Sequence, residues 1–227
     1  MTAADKPDLL ESGIYTFADA AKLLRTRTPT IRTWVNGHGA HQEPLIDNEL
    51  GRVGHSYVIS FTNLMELRFV ALFAEADIPL RTIRAIMNEA RDVLQHPHPF
   101  ATSTVFGTDG KRILAIIQRQ TGERDVLDLK SRNYEIPAFT VLKPGVVFNS
   151  KGEASAWYPR PDTAPNVVMH PHYSFGRPIL KTSQIPTAAI AASAKVDGPK
   201  VTAAIFDVPL KQVREAVDFQ ERLRRAA

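Results

Sequence analysis

The 227-residue sequence predicts an α+β chain in three parts. A helix-turn-helix with a β-wing and a trailing helix pair occupies 1–96, a small antiparallel β segment 97–160, and a helical module 166–227. Three observations predict this layout. Apolar residues recur at helical spacing over 16–36 and again from about 62 to 94. From residue 97 the apolar runs shorten and turn dipeptides punctuate them. Pro159, Pro161 and Pro165 then set off an alanine-rich C-terminal stretch and mark an expected linker, where few contacts should cross.

In the first part, Thr16 is the expected cap of a short helix in which Phe17, Ala20, Ala21 and Leu24 share one face. Thr28 is the expected cap of a second helix, with Pro29 at its first position, where a missing N–H costs nothing. Ile31, Trp34 and Val35 should pack inward, leaving Thr30, Arg32 and Thr33 outside. Lys22, Arg25, Arg27 and Arg32 fall in a stretch with no acid between Asp19 and Glu43. A helix pair with such a face suits a DNA major groove. An ordinary helical hairpin with solvated arginines is the competing reading. The runs at 44–46 and 57–61, separated by the Gly51–Gly54 turn region, are expected to form the wing hairpin. Helices at about 62–75 and 80–94 follow, broken by Pro79, with Leu64, Leu67, Val70, Ala71 and Ala74 on the core face of the first. Ile83, Ile86, Met87, Ala90 and Val93 should face the core from the second.

This order resembles the MerR-type DNA-binding domain, most specifically in YTFADAAKLLRTRTPTIRTW (15–34) and SFTNLMELRFVALFAEADIPLRTIRAI (60–86). The resemblance implies that Arg32 contacts phosphate while Pro29, Thr30 and Thr33 lie near base edges; Arg25 and Arg27, from the acid-free basic stretch, complete the expected DNA-binding set. Two features depart from the pattern. Gly54-His55-Ser56-Tyr57 replaces the wing's Gly-Tyr-Arg, and no long dimerisation helix follows residue 95.

In the middle part, Asp109-Gly110 centres a hairpin expected over 102–117. Further strands are expected at 126–130, 138–142, 146–149 and 153–158, the last two joined at Lys151-Gly152. His96-Pro97-His98 and His170-Pro171-His172 each place two imidazoles in the spacing a metal could use. Neither pair has a convincing third ligand and the chain has no cysteine, so no metal and no other cofactor is expected.

In the third part, Gly176 precedes Arg177-Pro178 where an unusual backbone conformation is expected. Thr187 is the expected cap of an alanine-rich helix. A further helix at about 198–206 should contribute Val201, Ala204, Ile205 and Phe206, and a last helix from 209 carries Val213, Ala216, Val217, Gln220 and Leu223 on one face. The segment resembles the DUF433 domain, whose Gly-Arg-Pro and Ile-Pro-Thr stand at 176–178 and 185–187. Taken with the N-terminal motif and Ala-Trp-Tyr-Pro-Arg at 156–160, the chain is similar to VapB-type antitoxins. It departs from them at 188–194, Lys195 and Lys200, where a Glu-rich helix is usual.

That resemblance implies two partners, a PIN-like toxin ribonuclease and double-stranded promoter DNA, with the chain as a homodimer or in a hetero-oligomer with the toxin. Charge suits the first partner. Residues 166–227 hold nine Lys and Arg against five Asp and Glu, which accounts for the whole net charge of +4. Arg222, Arg224 and Arg225, with Arg177, are the candidates to pair with the carboxylates of a metal-dependent nuclease, unless they merely complement the helix dipole. A MerR-like regulator without a toxin, whose C-terminal helix pair would be a second DNA reader with its basic residues on phosphates, is the alternative. An enzyme is not expected, for no nucleophile elbow, phosphate-binding glycine loop or metal-spaced His/Cys set is present. No run approaches the roughly 20 apolar residues of a membrane span, so a cytoplasmic chain is expected.

Overall fold

Thr16 and Asp19 close a reciprocal cap. The Asp19 N–H donates to Thr16 Oγ1 and the Thr16 N–H to Asp19 Oδ2, both at 3.1 Å. Two backbone donors at the helix start are thereby satisfied. In the computed structural model, which describes residues 9–37, 43–103 and 145–226, this cap joins strand β1 (Tyr15–Thr16) to helix α2 (Phe17–Leu23); helix α1 (Leu9–Ser12) precedes them. Helix α3 (Thr28–Asn36) completes the helix-turn-helix, and Ile31, Trp34 and Val35 are its buried residues. Its cap differs from expectation by one position. Arg27 is the extended N-cap residue without a side-chain bond, and Thr28 is already helical.

The wing's first strand lies later in the chain than expected. Strand β2 (Arg52–Val53) pairs antiparallel with β3 (Ser56–Ile59), and β1 pairs with the other edge of β3. Gly54, at φ +60°, fills the two-residue turn where a left-handed backbone is required. Residues 44–46 form no strand. Leu45 and Ile46 are buried in the core, and the Leu45 N–H donates to the Trp34 carbonyl at 2.8 Å. That apolar run signalled burial rather than strand pairing.

Helix α4 (Phe61–Glu75) is capped by Ser60 Oγ, which accepts from the Asn63 N–H. It is buried on nearly every side, through Leu64, Leu67 and Val70 and also Met65, Phe69 and Phe73. A helix buried on most sides belongs at the centre of a fold, and its buried polar residues Asn63 and Glu66 are both hydrogen-bonded there. Helix α5 (Leu80–Leu94) buries the single stripe Ile83, Ile86, Met87 and Ala90. A 3-10 turn (Pro99–Ala101) then stacks Phe100 on Phe69, with ring centroids 3.6 Å apart.

The hairpin about Asp109-Gly110 and the strands expected at 126–130 and 138–142 lie outside the described residues. Strands β4 (Val146–Phe148) and β5 (Ala154–Trp157) pair as expected. After them come β6 (Val167–Val168), a 3-10 turn (Ser174–Gly176), β7 (Ile179–Leu180) and three helices: α6 (Thr187–Asp197), α7 (Pro199–Ile205) and α8 (Leu210–Arg225). Ile190, Val213, Ala216 and Phe219 centre their core with Val167 and Leu180. Two details depart from expectation. Thr187 does not cap α6, because its hydroxyl donates to the Pro178 carbonyl and accepts from Gln220 Nε2. On α7 the inward residue is Thr202, while Val201, Ala204 and Ile205 face outward.

The prolines at 159–165 do not mark a contact-poor linker. Trp157 and Met169 exchange both backbone hydrogen bonds across this segment, at 2.9 and 2.8 Å. Met169 is fully buried in the N-terminal core, and the Arg68 guanidinium lies 4.5 Å over the Trp157 ring. Ala164 packs into the C-terminal core. The whole is a mixed α+β fold whose ends are stitched together. Among the described residues no helix is long and apolar enough to cross a membrane.

Candidate nucleic-acid interface

The outer face of α3 is built by its inner one. Because Ile31, Trp34 and Val35 bury, Pro29 and Arg32 are exposed and Thr30 and Thr33 half-buried. Thr33 Oγ1 donates to the Pro29 carbonyl at 3.1 Å, so one of its two hydrogen-bonding roles is already used within the helix. Arg27 is exposed at the helix start, where its extended backbone leaves the guanidinium free of any capping role. Arg25 sits in the turn between the helices in a left-handed conformation, φ +53°, and is exposed. Among the described residues no carboxylate pairs with Arg27 or Arg32. Exposed guanidinium groups without acidic partners are available for phosphate.

The wing adds a cation that sequence reasoning missed. The Arg52 guanidinium lies 5.4 Å over the ring of Tyr57, its partner in the β2–β3 register. Tyr57 in turn stacks on Phe17 of α2, centroids 5.9 Å apart. The wing therefore carries an arginine despite lacking Gly-Tyr-Arg. Placing the first wing strand at 44–46 had left Arg52 in a turn; Gly54 as the second glycine of the turn region was the signal for the correct register.

The arginines expected to face a toxin are all exposed: Arg177 just after Gly176, and Arg222, Arg224 and Arg225 on the last turns of α8. Arg225 lies 3.8 Å from Glu221, a long surface contact worth little. The structure sets two of them against the helix-turn-helix. Arg177 and Arg224 share a cleft of about 380 Å³ with Lys22 of α2 and Asp19.

The two His-Pro-His segments come together as well. Both line a second cleft, of about 610 Å³, with Glu11, Glu49 and Glu153. Each folds into the same turn: His96 Nδ1 accepts from the His98 N–H at 3.0 Å, and His170 Nδ1 from the His172 N–H at 3.2 Å. In the neutral ring this places the proton on Nε2. Burial, and then the neighbouring His172, lower the pKa of His170 and favour that neutral form. A metal at either first histidine would have to displace a hydrogen or a backbone bond. Among the described residues no group of three or more His, Asp or Glu is placed to hold a metal ion.

His98 has a different job. Its Nδ1 lies 2.9 Å from Glu66 Oε2 and its Nε2 2.9 Å from Glu49 Oε1. Ser60 Oγ donates to the other Glu49 oxygen at 2.6 Å. Burial alone would lower the His98 pKa, but the hydrogen bonds to both carboxylates outweigh it and push it up to about 10. The ring is thus an imidazolium donating at both nitrogens. Glu49 is pulled below the usual carboxylate range by its bond to His98, whereas burial pushes Glu66 up. The cluster fixes the chain after α5 onto α4 and the loop before the wing.

No family model matches the sequence, and no curated protein matches it at a significant level. Among solved structures, the crystal structure of Rv2018 from Mycobacterium tuberculosis is similar with a TM-score of 0.73 at 22% identity, covering 90% of this chain and 96% of that one. At that identity the likeness establishes a shared fold over nearly the full length of both chains.

Proposed function

We propose that this chain is a type II antitoxin that binds promoter DNA through α3 and the wing, represses its own operon and neutralises a PIN-like toxin ribonuclease. The observation that carries the DNA reading is the outer face of α3. It presents Arg27, Pro29, Thr30 and Arg32 beside a wing bearing Arg52. Guanidinium groups position the helix on phosphates, and Thr30 and Pro29 at the helix start lie where base edges would be read. On this reading the chain has no catalytic chemistry of its own and works in the cytoplasm, as a homodimer or bound to the toxin.

Two features support a protein partner. One is the Gly176-Arg177-Pro178 and Ile185-Pro186-Thr187 pattern. The other is the outward face of α7, where Val201 and Ile205, four residues apart, are 50% and 59% exposed, with Lys195 and Lys200 preceding them in the chain. An apolar stripe with basic neighbours suits a partner whose apolar contact surface has an acidic border, as a carboxylate-lined nuclease has. A regulator without a toxin is the second reading, favoured by the position of Arg177 and Arg224 beside α2. Co-expression with the neighbouring gene tests between them. Rescue of growth and co-purification support the antitoxin, and a neighbour that neither harms cells nor binds supports the plain regulator.

A further inference from the structure

The seam between α2 and α8 collects positive charge from four separate places in the sequence. Lys22 on α2, Arg177 after the 3-10 turn and Arg224 on α8 line one cleft of about 380 Å³. Beside it, Arg160 lies across the Phe219 ring at 5.8 Å. Desolvation lowers its pKa, and so, to a lesser degree, do the charges of Arg25 and Arg222. One carboxylate, Asp19, also lines the cleft; its Oδ2 accepts from the Thr16 N–H and hydroxyl, and its charge stands against the three cations of Lys22, Arg177 and Arg224. Like charges converging from α2, the 159–165 segment and α8 repel one another, and an anion would relieve that repulsion.

The arrangement is fixed rather than accidental. Tyr15 Oη donates to the Gly176 carbonyl at 2.7 Å, and the Ile14 N–H donates to the Phe175 carbonyl at 2.9 Å. These bonds hold the Arg177 turn against the strand that leads directly into α2. The cleft therefore exists only when the N-terminal and C-terminal parts are docked.

We propose that this seam is a composite phosphate-binding site that extends the DNA contact of α3 onto the C-terminal helix, with Arg177 and Arg224 taking backbone phosphates of the same duplex. The proposal rests on the DNA reading above and goes beyond it, because it moves these two arginines from a toxin surface to the nucleic acid. Phosphate contacts carry no sequence information but dominate the salt dependence of affinity.

The test measures affinity for a duplex of the gene's own upstream region across a salt series, using the full chain. Variants are Arg177→Ala/Arg224→Ala, the corresponding double Lys variant, and Arg32→Ala. All three positions are exposed, so melting temperatures should match wild type. The double Ala variant should lose about 0.9 units of log–log salt slope per contact, and the double Lys variant should retain the slope. An unchanged slope in the double Ala variant, while Arg32→Ala loses its own unit, overturns the proposal and leaves the α3 reading standing. Loss of partner neutralisation with an unchanged slope also overturns it, and assigns the arginines to a protein surface. If Arg32→Ala leaves the slope unchanged as well, the DNA reading fails and takes this one with it.

Discussion

The Tyr15 hydroxyl donates to the Gly176 carbonyl at 2.7 Å, joining residues 161 positions apart. Both are buried, and burial pushes the Tyr15 pKa far above its ordinary value, which keeps the phenol a donor. Gly176 has φ +81°, and a Cβ there would collide with the Tyr15 hydroxyl. Tyr15→Phe should therefore destabilise by about 1–3 kcal/mol, the penalty for a buried carbonyl left without its donor. Gly176→Ala should destabilise more, since it adds backbone strain to the clash. Thermal unfolding of both variants checks this order.

Because Met169, Trp157 and the Tyr15–Gly176 bond tie the two ends together, a cut at 160 should not release two independent domains. A fragment of residues 1–160 loses Met169 from its core, so Trp157 keeps its pairing with Val146 of β4 but loses its bridge on the other edge. It should aggregate or melt well below the full chain, and the full chain should unfold in one transition. Two calorimetric transitions, or a soluble and cooperative 1–160 fragment, would contradict this.

The Glu49–His98–Glu66 cluster predicts a pH profile. The folded His98 pKa is about 10 against an ordinary value of about 6.5. Its contribution is thus complete below about 6.5 and is lost as pH rises through 10. Glu49, held below its usual range, contributes in the opposite sense, above that range, and its share is lost on acidification. His98→Ala should destabilise at neutral pH by about 3–5 kcal/mol, because it strands Glu66 as an uncompensated buried group. It should also flatten the alkaline fall in stability. Denaturant midpoints from pH 6 to pH 10 for both proteins test this.

Chelator should leave the melting temperature unchanged. His96 and His170 use Nδ1 to accept backbone N–H groups, and His98 is engaged at both nitrogens. A drop in melting temperature after chelation would reveal a metal contributing to folding.

Much of the helical framework was legible in the sequence, for periodicity alone placed α4, α5 and α8 within a residue or so. Short elements were harder. Residues 44–46 are as apolar as a strand, yet Leu45 and Ile46 fill the space beside Trp34 instead of pairing, and that displaced the wing and hid Arg52. On α7, Val201 and Ile205 have the composition of a core face; the seven-residue helix buries Thr202 instead, whose hydroxyl donates to the Gly198 carbonyl. The docking of the two ends left no local trace, since bonds such as Tyr15 to Gly176 join distant positions. The basic seam was invisible for the same reason. Its arginines read as an N-terminal DNA set and a C-terminal set for a toxin or a second DNA contact; only the fold places Arg177 and Arg224 beside Lys22.

The central claim is that α3 reads DNA, and the salt dependence of promoter binding by Arg32→Ala tests it most directly, with Trp34→Ala as the folding control. Arg32 is exposed while Trp34 is buried at 3% exposure, so the first variant should stay folded and the second should lose about 3–5 kcal/mol of stability. The account predicts weaker binding by Arg32→Ala and a salt slope reduced by about one unit. A folded Arg32→Ala that binds the promoter as tightly as wild type at every salt concentration would contradict it.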